Sequence, residues 1–447
     1  CSSGDGGSSP QKNSGDVELT LTDKSTTTNS TSQDKDDDSD ANNPKASPPL
    51  CRARCCVCCR STVSVIAFLL LVLPLIGAAF EAAGYMMYPP DGVFITLTHN
   101  RTPSGCVITQ RILTNCMEPD DNYNTSLPTL WSEVGGGGHS MSDLWGLRDE
   151  LVHVHGRRFC SYDIPGTGWS DPGVSGTGTY PSGGEKDSGG YITDLLMDAM
   201  GETGPFVLMG SMDGSPNRAQ RFALDHPDRA AAFVSVGVSY GEMRQYRDYH
   251  DVSDEELLQY AREQYGSRQG GGIGVLLFAI PWGLLGAFIP VSDDFVPQSR
   301  AREHLFLNLF NDKQWATNVD YIRYQLHQSV EELVADPYIL TETANLVQGG
   351  TKMIIFNLAR TEEQLADRCW QGLDSDSCGL SNFSHVSTME LVDDIVELAN
   401  TTVPGSIKSI MCHSECANIS STHMINQGSM IPWYAQQLID ALAELGV

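Results

Sequence analysis

The run Phe206-Val207-Leu208-Met209-Gly210-Ser211-Met212-Asp213-Gly214-Ser215 passes from an apolar strand, through small residues, into a helix with Pro216 in its first turn. A junction of this kind lifts one side chain above the edge of a sheet as a nucleophile. The turn is crowded, so it wants small residues two positions before and two after the side chain it presents. Counted forward from the strand, Gly210 and Gly214 are those flanks and Met212 takes the seat, where a thioether cannot attack an electrophile. Ser211 and Asp213 on either side can attack, one as an alkoxide and one as a carboxylate. Upstream, Gly135-Gly136-Gly137-Gly138 follows the apolar segment Leu130–Val134 and leads to His139. Bare backbone N–H groups directly after a core strand suit an oxyanion hole, so Gly136 and Gly214 are the expected donors. His139 and Met212 are expected against the substrate.

The elements that must position these residues alternate between strand and helix, which predicts a mostly parallel sheet covered on both faces. Strands are expected at Leu130–Val134, Arg158–Asp163, Phe206–Gly210, Ala232–Val238, Lys352–Leu358 and Ser406–Cys412. Helices are expected from near Ser142, at Tyr191–Met200, after the turn at Pro216, and at Pro432–Leu445, whose Ala435, Leu438, Ile439, Leu442 and Leu445 share one face. From Tyr240 to about Gly349 the pattern turns helical, with Ser253-Asp254-Glu255-Glu256 and Ser329-Val330-Glu331-Glu332 as capping boxes. That segment reads as a helical lid inserted in a sheet domain. Its apolar run Ile273–Val291 is expected to be buried in the lid, because a membrane crossing there would split one sheet between two sides of the membrane.

Over residues 125–447 the chain resembles the α/β-hydrolase family. The resemblance rests on Tyr162-Asp163-Ile164-Pro165-Gly166-Thr167-Gly168-Trp169-Ser170-Asp171, similar to that family's turn after its fourth strand. It rests also on Gly214 through Ala230, with Arg221-Phe222-Ala223-Leu224-Asp225-His226-Pro227-Asp228-Arg229, similar to the helix after its nucleophile. Counted back from His226-Pro227, the seat falls on Asp213 with Ser211 and Ser215 as flanks. The resemblance then implies Asp213 as nucleophile, in the manner of relatives that form an ester with the substrate, and Ser211 as second choice. It implies a base late in the chain, at Ser421-Thr422-His423-Met424, with His423 preferred over His413 between Cys412 and Cys416. It implies an orienting acid after the strand Lys352–Leu358, where Glu362 is nearest and Glu363 and Asp367 follow. The implied activity is hydrolysis of an ester, epoxide or similar small apolar substrate without a cofactor. Two departures keep an inactive binding module open as the alternative: Gly214 stands where the dehalogenase branch carries Trp, and four glycines stand where the epoxide-hydrolase branch carries His-Gly-x-Pro.

The chain of 447 residues carries 28 basic against 56 acidic side chains, a net charge of −28, so a nucleic-acid partner is excluded on electrostatic grounds. It opens on Cys1 rather than Met, as an incomplete sequence would. Residues 1–60 form a polar head, expected to be disordered, that ends in Cys51-Arg52-Ala53-Arg54-Cys55-Cys56-Val57-Cys58-Cys59-Arg60. Those cysteines suit S-palmitoylation better than zinc, since no His accompanies them. The apolar run over 61–84 is expected to be a retained signal anchor. Arg52, Arg54 and Arg60 precede it and no base follows until Arg101, so the head is expected in the cytosol and the rest in the lumen or outside the cell. The predicted organisation is thus head 1–60, transmembrane helix 61–84, first sheet segment 85–239, lid 240–349 and second sheet segment 350–447. Sequons at Asn100, Asn124, Asn382, Asn400 and Asn418 agree with that topology. Cys106 is paired with Cys116, Cys369 with Cys378 and Cys412 with Cys416 by proximity, leaving Cys160 as an inert core thiol. No segment specifies an oligomeric state.

Overall fold

The structure is a computed structural model that describes residues 72, 75–99, 107–119, 126–134, 139–172, 188–211, 215–236, 295, 297–309, 338–358, 392–412 and 428–447. Residues 70–447 form one compact unit.

Eight strands make a single sheet: β1 (Val93–His99), β2 (Ile108–Met117), β3 (Thr129–Glu133), β4 (Phe159–Tyr162), β5 (Phe206–Gly210), β6 (Ala230–Val236), β7 (Lys352–Leu358) and β8 (Ile407–Cys412). Their spatial order is β1-β2-β4-β3-β5-β6-β7-β8. β2 pairs antiparallel with both β1 and β4, and the pairs from β4 to β8 are parallel. The sheet is mostly parallel, as expected, and the hairpin β1–β2 adds an edge that the sequence pattern did not announce.

Helices cover both faces because successive strand residues point to opposite sides. In β5, Val207 and Met209 join one core with Leu130, Ile354 and Phe356, whereas Phe206 and Leu208 join the other with Trp131, Met353 and Ile355. The first core is closed by a 3-10 turn (Met141–Leu144), α2 (Trp145–Asp149), a π-helical turn (Glu150–Val154) and α8 (Ile431–Leu445), through Leu144, Leu147, Leu151, Tyr434 and Leu438. The second is closed by α3 (Ser188–Met200), α4 (Ser215–Asp225), α6 (Tyr338–Gln348) and α7 (392–402), through Leu196, Phe222, Ala223, Leu346 and Ile395. α6 falls inside the segment expected as lid, yet it packs on the sheet. α8 opens with Pro432 in its first turn and ends on Gly446 in the left-handed conformation, the signals that Pro and Gly supply at helix ends.

Two further helices lie outside these layers. α1 (75–87) precedes the sheet, and α5 (Ala301–Leu309), introduced by a 3-10 turn Gln298–Arg300, belongs to the predicted lid. Among the described residues no helix is long and apolar enough to cross a membrane. Of the predicted anchor, residues 61–71, 73 and 74 lie outside the described residues.

The cysteine pairing differs from expectation. Cys116 is bonded to Cys160, not to Cys106, and Cys160 is not a free thiol. The two face each other across the antiparallel pair β2–β4, so strand register rather than closeness in sequence selects the partner. Cys412 is also disulfide-bonded. Its expected partner Cys416, with Cys106, Cys369 and Cys378, lies outside the described residues.

Candidate active site

Chain order puts β3 between β4, which follows it, and β5, which comes next, so the winding reverses beside β3. Crevices form at such a switch, outside the carboxyl ends of the strands. The segments after β3, β4 and β5 therefore share one edge of the sheet, and these are the segments that carry the glycine run, the Pro165–Ser170 turn and the β5–α4 junction.

At that junction the strand end and the helix start almost touch, and a Cβ on Gly210 would overlap Pro216 Cα. The Ser211 N–H donates to Ser215 Oγ at 2.8 Å, which ties together the residues two before and two after Asp213. Ser211 is 1% exposed, and its hydroxyl has no hydrogen-bond partner among the described residues. Met212, Asp213 and Gly214 lie outside the described residues, as do Gly136, Glu362, Glu363, Asp367, His413 and His423. Of the expected site residues the structure thus places Ser211 and His139.

β3 reaches this edge with a buried ion pair at its end. Glu133, fully buried, accepts from Arg218 Nε at 3.2 Å, Tyr162 Oη at 2.6 Å and Thr193 Oγ1 at 2.7 Å. Arg218, on α4, also donates through Nη2 to the Val134 carbonyl. The helix that follows the elbow is therefore pinned to the last residue before the glycine run. Burial, followed by the neighbouring Glu133 charge, pushes the Tyr162 phenol well above its usual range, so it stays a neutral donor.

The segment after the glycine run is fixed by two carboxylates. Asp163, buried at the end of β4, accepts from Met141 N through Oδ1 and from Trp169 N through Oδ2, both at 2.8 Å. Gly168 has φ +45°, and a Cβ there would overlap the Asp163 carboxylate, so this turn requires glycine. Asp143 closes the capping box of Ser140 and accepts from Asn308 Nδ2 at 3.1 Å. His139 Nδ1 stands 3.3 Å from Asp143 Oδ2, and His304 Nε2 stands 3.7 Å from Oδ1. His304 also meets the Ser142 hydroxyl through Nδ1 at 2.9 Å and stacks on Phe295. Burial raises the Asp143 carboxyl, but His304, His139 and the Ser140 N–H outweigh it and hold the group below its ordinary value. Burial lowers His304, with Asp143 opposing and His139 assisting. His304 and Asn308 thus join α5 to the segment that follows the glycine run.

Glu133, Arg218, Asp143 and His304 were missed by motif reading. The spacing Ser140-x-x-Asp143 is a capping signal that could have found Asp143. Nothing local marks His304, which acquires its role from Ser142 and Asp143 on another element. Among the described residues no cluster of His, Cys, Asp or Glu is arranged to hold a metal ion.

No family model matches the sequence, and no curated protein matches it. Among solved structures the chain is similar to an epoxide hydrolase of Vigna radiata, at 10% identity and a TM-score of 0.45, over 78% of this chain and 98% of that one. It is similar to a carboxylesterase of the thaumarchaeon Nitrososphaera gargenis, at 13% identity and a TM-score of 0.44, over 79% and 99%. A third is the juvenile hormone epoxide hydrolase of the silkworm Bombyx mori, at 16% identity and a TM-score of 0.40, over 75% and 74%.

Proposed function

We propose that the chain is a hydrolase of the α/β-hydrolase type that opens an ester, an epoxide or a similar small apolar electrophile. The observation that carries this reading is the meeting, at one sheet edge, of two strand ends. β3 runs into the glycine segment and β5 into a sharp turn where Gly210 abuts Pro216 and Ser211 is tied to Ser215.

In the proposed reaction a carboxylate oxygen of Asp213 attacks the electrophilic carbon. A C–O bond of the substrate breaks and an ester to the chain forms from an epoxide, or a mixed anhydride from a carboxylic ester, while the departing oxygen keeps the bonding pair and takes a proton from solvent. His423, oriented by Glu362, then removes a proton from water, whose oxygen adds to the Asp213 ester carbonyl. The N–H groups of Gly136 and Gly214 hold the resulting oxyanion, each worth about 3 kcal/mol of barrier. Collapse of that intermediate breaks the bond to the product, whose oxygen takes the proton held by His423, and restores the carboxylate. Ser211 is the alternative nucleophile, and His139 and Met212 line the substrate.

The chain is further proposed to sit in a membrane through the 61–84 segment, with a cytosolic head and the sheet domain on the lumenal or extracellular side. The Cys116–Cys160 disulfide supports an oxidising compartment, and Asn400 is exposed on α7 as a glycosylated sequon must be.

One observation favours a second reading. If the Gly210–Pro216 approach makes Gly210 the small residue two before the seat, Met212 occupies the seat and the protein is a binding module without turnover. Assay of the purified chain against a panel of nitrophenyl esters and epoxides separates the two. Turnover lost in Asp213→Asn and kept in Ser211→Ala supports the hydrolase reading, turnover lost only in Ser211→Ala moves the nucleophile to Ser211, and no turnover supports the binding module.

A further inference from the structure

Helix α1 has two unlike faces. Gly77 and Gly84, seven residues apart and so on one side of the helix, are buried. Gly84 lets the Phe306 ring of α5 approach so closely that a Cβ would overlap it. Tyr85 meets the same ring edge-on at 5.3 Å and Tyr88 lies tilted against it at 5.8 Å, while Tyr85 also contacts Trp169 of the β4 turn at 4.7 Å. Just past the helix, Asp91 pairs with Arg300 before α5 and with Arg148 of α2. This face is docked on the lid helix.

The opposite face is bare. Leu75, 70% exposed, and Met86, 79%, lie opposite the glycines, while Phe80, 39%, and Met87, 65%, flank them, and together they are four of the seven large apolar side chains exposed among the described residues. Ala78, Ala79 and Ala82 complete the face, which carries no charged side chain. A docking surface for a protein carries a polar rim, and among the described residues of α1 only Glu81 is charged. Instead it continues, towards the N-terminus, the apolar run that starts at Val63, with Arg52, Arg54 and Arg60 before it. Acyl chains are the occupant that suits a charge-free face continuous with such a run, and tyrosines such as Tyr85 and Tyr88 belong at the lipid–water boundary.

We infer that the exposed face of α1, as far as Met87, contacts the lipid of a bilayer, and that α5, docked on its other face, is thereby held at the bilayer surface. Since α5 also carries His304 and Asn308, which hold Asp143, the end of the sheet at which β3 and β4 leave it is held beside the membrane. The substrate class is then one dissolved in lipid. That last step rests on the hydrolase reading, whereas the lipid contact does not.

The test uses the full chain in phosphatidylcholine vesicles, as Met86→Trp and as Val154→Trp. Val154 is 65% exposed and leads towards the start of β4, at the opposite edge of the sheet. Emission is compared with that of the parent chain, which has seven tryptophans. Phosphatidylcholine brominated on its acyl chains is expected to remove most of the emission that Met86→Trp adds and none of that from Val154→Trp, with iodide giving the reverse. Quenching of Met86→Trp by iodide and not by brominated lipid overturns the lipid contact. For an epoxide that the reconstituted chain turns over, the rate is expected to follow its mole fraction in the bilayer. A rate set by its aqueous concentration overturns the entry route, and so does the absence of turnover, which also removes the hydrolase reading while quenching still decides the lipid contact.

Discussion

Arg218 and Glu133, 85 positions apart in the chain, meet at 3.2 Å with side chains 5% and 0% exposed. The pair joins the helix after the β5–α4 junction to the strand before the glycine run. A buried ion pair is a weak source of net stability, but removing one partner strands the other charge. Arg218→Met is predicted to destabilise the fold by about 3–5 kcal/mol, measured by urea unfolding. Arg218→Met combined with Glu133→Gln is predicted to recover part of that loss, because no uncompensated carboxylate remains.

Gly168 and Asp163 make the second prediction. Gly168→Ala places a Cβ on the carboxylate that holds Met141 and Trp169, in a backbone conformation that disfavours side chains. Loss of stability of about 1–3 kcal/mol is expected, together with faster amide exchange at Met141 and Trp169. Unchanged exchange at both would show that the two turns are held by something else.

The Asp143–His304 cluster makes stability depend on pH. His304 has a folded-state value below its ordinary 6.5, so the unfolded chain takes the proton first. Its contribution is complete above 6.5 and is lost as pH falls through that value towards the folded one. Asp143, held below its ordinary 3.8, contributes fully above 3.8 and loses that contribution only at lower pH. Thermal unfolding is therefore expected to move to lower temperature between pH about 7.5 and about 5.5, and His304→Gln is expected to flatten that slope.

The bond between Cys116 and Cys160 closes a separation of 44 residues. Its removal in Cys116→Ser/Cys160→Ser is predicted to cost about 4 kcal/mol by the loop-entropy account. Peptide mapping without reduction should recover the two cysteines in one linked fragment, and a Cys106–Cys116 fragment would contradict the pairing.

The sheet was legible where strands are buried on both faces. β5 and β7 read as apolar runs because Val207 and Ile354 enter one core while Leu208 and Ile355 enter the other. β2 was not legible, because the buried polar residues Gln110, Thr114 and Asn115 break its apolar pattern near the sheet edge. The disulfide was missed for the same reason, since its partners meet only through the β2–β4 register. Of the proposed site, the glycine run and the elbow are local motifs. Glu133, Arg218 and His304 could not be read in this way, because each acquires its role from residues on another element, whereas Asp143 stands in the local capping spacing Ser140-x-x-Asp143.

The central claim is that Asp213 forms a covalent ester during turnover. The most direct test is the intact mass of His423→Gln after exposure to an epoxide that the parent chain hydrolyses. The account predicts a gain equal to the mass of the epoxide, located on Asp213 and absent from His423→Gln/Asp213→Asn. An unmodified mass, or an adduct located on Ser211, would contradict it.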